Sequence, residues 1–151
     1  MLGTGEREAA RDRDRIVNLS DGVFAIAITL LVLDIRVPEI PENLVAGQLP
    51  GELLSLWPRY LGYILSFVSI SVFWMIHHSI FRPIGTYDRN LLYLNFLFLM
   101  VVAFVPFPTA LLGEYGNHQL LVAIYAGTLA VGRLLLTAIY WYSTRNARLV
   151  D

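Results

Sequence analysis

At 151 residues, 56% of them hydrophobic and with a formal net charge of −1, the chain can form one domain and gives no reason to expect a nucleic-acid partner. Cysteine is absent, which excludes disulfides, thiolate metal sites and cysteine nucleophiles. The apolar residues gather in near-continuous runs of membrane length, so the class expected is an all-α, multi-pass membrane protein forming a single transmembrane domain over 1–151.

Residues 1–14 alternate Arg7, Arg11 and Arg13 with Glu6, Glu8, Asp12 and Asp14, and read as a polar cytoplasmic lead-in able to extend the first helix outward. A signal peptide is not expected, because Asn18, Ser20 and Asp21 interrupt the apolar run and no small-residue cleavage site follows Leu33. The first span is predicted over about 16–35, since roughly 20 residues at 1.5 Å each cross the hydrocarbon core. Projected at about 100° per residue from Ile26, Leu30 falls near 40°, Leu33 near −20° and Leu19 near 20°, with Thr29 beside them near −60°. Asp21 lies near −140°, on the far face. Periodicity alone favours packing of this aliphatic stripe against the chain's own helices or lipid over a seam at which several copies meet.

Pro38, Pro41, Gly47 and Pro50 mark Arg36 to Leu56 as an extramembrane loop, with room for a short interfacial turn between Leu44 and Leu56. A second span is predicted over about 57–80, opening on the aromatic belt Trp57, Tyr60 and Tyr63 and closing on His77 and His78. Its mid-span serines, Ser66, Ser69 and Ser71, are small enough for helices to approach closely. Phe81 to Arg89 reads as a turn. The third span, about 90–112, carries Asn95 early and a kink at Pro106 to Pro108. The fourth, about 119–142, carries Arg133 and ends on Tyr140, Trp141 and Tyr142, leaving 143–151 as a tail. Eight arginines flank the side of the two termini and the middle turn, against Arg36 and Arg59 on the other, which predicts both termini in the cytoplasm of a cell-membrane protein.

With that orientation Asp21, His77 and Asn95 each lie within roughly 10 Å of the cytoplasmic interface. They are expected to meet in an inter-helix polar network with Ser20 and with Arg15 or Arg133, because buried polar groups need partners. A proton relay through Asp21 and His77 is the sharper alternative to this structural role. No catalytic constellation is visible, and no metal site is expected, since the adjacent His77 and His78 cannot face one another on a helix. No cofactor is expected either.

The run Arg15-x-x-x-Leu19-Ser20-Asp21, continued by Gly-Val-Phe-Ala-Ile-Ala, resembles the first-helix signature of the transmembrane-protein-175 family of potassium channels. That signature reads Arg-x-x-x-Phe-Ser-Asp, so Leu19 replaces its Phe. Trp74-x-x-His77-His78, Asn95 and Pro106-Phe107 are similar to the family's second and third helices, so the resemblance covers about 15–115. It implies passive potassium conduction through a homo-oligomer, a tetramer, within the lipid bilayer. The first helix would line the pore, with Ile26, Leu30 and Leu33 as a hydrophobic constriction and Thr29 as its polar neighbour. Arg15, Ser20, Asp21 and His77 would support it. The family carries six helices per repeat, where four spans are read here. The alternative is a non-conducting helical assembly or accessory protein.

Overall fold

The computed structural model describes residues 4–85, 87–116 and 118–145, with side chains from Asp14 onward. Arg148, the side chains of Arg7, Arg11 and Arg13, and most of the expected tail lie outside the described residues. Helix α1 (Thr4–Leu30) tightens into a 3-10 turn at Leu31–Asp34. A 3-10 turn at Glu42–Leu44 leads into α2 (Val45–Ser55), then α3 (Trp57–Phe81), α4 (Arg89–Phe104), α5 (Pro106–Tyr115) and α6 (Gln119–Arg145). Among the described residues, four segments are long and apolar enough to cross a membrane: Asp14–Asp34, Trp57–Phe81, Arg89–Tyr115 and Gln119–Arg145. The chain is a multi-pass membrane protein.

Local chemistry sets the boundaries. Pro58 stands in the first turn of α3, where a missing N–H costs nothing. The Asp88 carboxylate accepts from Leu91 N–H at 2.8 Å and caps α4. The other Asp88 oxygen accepts from the Tyr142 hydroxyl, tying the α3–α4 turn to the end of α6. At the kink expected in the third span the helix is interrupted at Val105 alone, which keeps φ −51° and ψ −40°, because Pro106 cannot donate to the Val102 carbonyl. Val105 N–H turns back to that carbonyl instead, at 3.2 Å.

The structure departs from the sequence reading where only a short turn was expected. The segment after the first span is more than loop, since residues 45–55 form the helix α2 despite Pro50. Pro50 forfeits one hydrogen bond to a carbonyl four residues earlier, and a helix with no buried residue can leave that carbonyl to solvent.

The core brings Phe24 and Leu31 of the first segment against Ile70 and Phe73 of α3, Phe98 and Val102 of α4, and Leu136 and Ile139 of α6. In lipid such helices associate through close packing and polar bonds rather than hydrophobic exclusion. Gly132 shows how close that packing is: a Cβ there would sit 2.9 Å from the Phe73 ring.

Candidate functional site

The membrane part of α1 has two unlike faces. Phe24, Ala27 and Leu31 are 2% exposed or less, turned into the bundle. Ile26, Leu30 and Leu33 are 61%, 44% and 70% exposed and form an aliphatic stripe on the outside. Leu33 sits in the 3-10 turn, where residues three apart eclipse, so it stands directly over Leu30 and prolongs the stripe. Thr29, also exposed, donates its hydroxyl to the Ile26 carbonyl at 2.9 Å. Its proton is thus committed, and its oxygen lone pairs face outward beside the stripe.

Behind this face runs a buried polar chain whose direction is fixed by proton counting. Ser20 donates its hydroxyl to the Ile16 carbonyl at 2.9 Å. It therefore accepts from Asn95 Nδ2 at 3.1 Å. That contact turns Asn95 Oδ1 toward His77, which donates from Nε2 at 2.9 Å. Ser20, His77 and Asn95 are each 2% exposed or less. The imidazole is held between rings, stacked on Phe81 at 4.1 Å and Phe98 at 5.6 Å, with the edge of Phe24 at 5.6 Å. Three membrane helices, α1, α3 and α4, are joined at this point.

The other residues expected in the network are distributed differently. Asp21 accepts from the Trp74 indole N–H at 2.8 Å and forms a second α1–α3 link beside the buried chain. Asp21 and His77 also line a cleft of ≈ 370 Å³ that opens past Asp14, Asn18, His78 and Arg82. Arg15 is exposed on the turn before Ser20. Arg133 is not brought to the network. Its neighbour Gly132 is buried against Phe73, and a step of about 100° along α6 turns Arg133 away from the core. It faces a hollow of ≈ 450 Å³ between α3 and α6, beside Ile76, Ser79 and Thr137. His78 points away from His77 and stacks on Trp74 at 5.5 Å.

Two further polar groupings were not foreseen from the sequence. Within the spans, Thr109 donates to the Val105 carbonyl at 2.9 Å, at the interruption between α4 and α5. Ser66 then donates to Thr109 at 2.7 Å, and Tyr125 to Ser66 at 3.0 Å, so α3, α5 and α6 are pinned where Pro106 interrupts the helix. At the opposite end from His77, Arg59 donates from Nη1 to the Asp34 carbonyl at 3.0 Å and from Nη2 to the Glu114 carboxylate. The available signal was depth: Ser66 with Thr109, and Arg59 with Glu114, sit at matching heights on antiparallel segments.

A family described as the endosomal/lysosomal potassium channel TMEM175 matches residues 15–106. A potassium channel from Streptomyces collinus is 43% identical over 141 residues, covering 91% of this chain and 67% of that protein. Another, from Chamaesiphon minutus, is 45% identical over 139 residues, covering 90% of this chain and 68% of that one. The crystal structure of a lysosomal potassium-selective channel TMEM175 homolog from Chamaesiphon minutus superposes with a TM-score of 0.81 at 43% identity, over 91% of this chain and 75% of that one. The family match takes in the two-faced first helix and both helices that hold His77 and Asn95, and the chain belongs to the TMEM175 family of ion channels rather than to any class of enzyme.

Proposed function

We propose that the chain conducts potassium passively through a pore formed where the α1 stripes of several copies, four as the family resemblance implies, meet on a common axis. The observation that carries this reading is the exposure of an unbroken aliphatic line, Ile26, Leu30 and Leu33, on a helix whose other face is buried. Rings of aliphatic side chains close a pore by dewetting, since water leaves a narrow apolar constriction and ions cannot follow. Thr29 supplies what the methyl groups lack, an outward hydroxyl oxygen that accepts from the hydration shell of a passing cation. Potassium is the permeant ion and no resident cofactor is required. The protein sits in the cell membrane with both termini in the cytoplasm, the side favoured by the flanking arginines.

Reconstitution of the purified chain in liposomes with a potassium gradient tests the proposal. Potassium flux exceeding sodium flux is expected. Intact oligomers that pass neither ion would make the stripe a seam of a non-conducting assembly. Accessibility tags on both termini should report the cytoplasmic side.

A further inference from the structure

We propose that Arg59 is a positioning residue for the outermost ring of the constriction, holding the 3-10 turn that presents Leu33; this rests on the pore reading above. The last carbonyls of a helix have no partner within it. At the end of the first span, the Asp34 carbonyl receives Arg36 N–H at 3.0 Å and Arg59 Nη1 at 3.0 Å. The planar guanidinium presents its donors in a fixed fork, so one side chain holds two objects at a set angle. The second object is Glu114, at the end of α5. Arg59 is 16% exposed while Glu114 is 44% exposed, so the arginine is the enclosed member and the link between two segments.

Space around the clamp is equally specified. A Cβ on Gly113 would sit 2.8 Å from Asp34 Oδ2 and 3.1 Å from Arg59 Cγ. The end of α5 thus lies directly on the turn, and a side chain at 113 would have to displace the Asp34 carboxylate and the Arg59 stem. Leu31, 1% exposed, anchors the inner side of the same turn, while Leu33 projects at 70% exposure. A four-residue 3-10 turn has poorer hydrogen-bond geometry than the α-helix below it. Its rotation, and hence the direction of Leu33, is fixed by Leu31 on one side and Arg59 on the other. Ile26 lies within the regular part of α1 and needs no such hold.

The cysteine-free sequence allows a direct test. Leu33→Cys and Ile26→Cys channels are treated with a charged methanethiosulfonate from the outer side, with and without Arg59→Gln, and current is recorded while labelling is read by mass. In the parent background, labelling at Leu33→Cys should block current. Adding Arg59→Gln should raise the labelling rate at Leu33→Cys about tenfold, the scale of one lost charge-assisted hydrogen bond, and leave Ile26→Cys unchanged. Arg59→Lys keeps the charge without the fork, and should behave like Arg59→Gln. Restoration of the parent rate by Arg59→Lys would overturn positioning in favour of a simple field effect. Block at Leu33→Cys with a rate indifferent to Arg59→Gln would overturn the clamp alone. Labelled Leu33→Cys channels that conduct unchanged would remove Leu33 from the pore, and the inference with it.

Discussion

Replacing Asn95 with leucine removes the middle of the buried chain while roughly keeping side-chain volume. His77 Nε2–H loses its acceptor and Ser20 Oγ its donor, in surroundings where neither residue is more than 2% exposed. Leucine offers no acceptor in place of Asn95, so the orphaned imidazole N–H carries most of the cost, about 1–3 kcal/mol. Ser20 still donates to Ile16 and loses little. Substituting His77 by phenylalanine as well removes the orphan and retains a ring between Phe81 and Phe98. The double variant His77→Phe/Asn95→Leu should therefore be more stable than Asn95→Leu alone. The coupling should lie in the range of inter-helix polar pairs within membranes, about 0.6–1.7 kcal/mol. Reversible unfolding in mixed micelles, monitored by tryptophan fluorescence and carried through the full double-mutant cycle, measures it. Additive costs, or a neutral Asn95→Leu, would refute the reading of His77–Asn95 as a buried, mutually dependent hydrogen bond.

Ile26→Asn should wet the constriction, raising basal current and weakening discrimination between potassium and sodium in single-channel recordings. Phe24→Asn, two residues away but 2% exposed, should leave the pore closed and destabilise the fold by about 3–5 kcal/mol through loss of a core ring; opening by this variant would mean the faces of α1 are exchanged. Gly132→Ala should destabilise by about 1–3 kcal/mol, because its Cβ meets the Phe73 ring at 2.9 Å. Gly127→Ala on the same helix has nothing within 4 Å of its Cβ and should instead stabilise by roughly 0.5–1 kcal/mol in the same unfolding assay.

The two faces of α1 were legible because a single periodicity governs a long regular helix, and Phe24 and Ile26 differ in azimuth by about 200°. Arg133 shows where that reasoning stops. Counting residues from a helix end gives depth, and Arg133 has the depth to approach the network, yet which way it points depends on how α6 is rotated against α3. That rotation is set by Gly132 meeting Phe73, a contact between residues far apart in sequence. Trp74 escaped notice as the partner of Asp21 because an aromatic residue in an apolar run reads as packing, while its indole N–H is also a hydrogen-bond donor. Helix α2 was hidden by its own composition, since Gly47, Pro50 and Gly51 all argue for a loop. Arg59 was read for its sign, as a marker of the outer side, and its geometry became visible only once α5 lay across the turn.

The fixed donor order of the His77–Asn95–Ser20 chain has a consequence for charge movement. A Grotthuss transfer requires each member to accept a proton on one side as it releases one on the other, and then to reorient for the next passage. Here the last acceptor is the Ile16 backbone carbonyl, which has no proton to pass on. The middle member is a carboxamide, whose oxygen accepts and whose nitrogen donates without exchanging roles. Asp21, the ionisable neighbour, accepts from the Trp74 indole, a donor only, so that contact gives no onward path. The chain is a one-way line of dipoles ending on a backbone carbonyl, so it joins α1, α3 and α4 without itself offering a Grotthuss path.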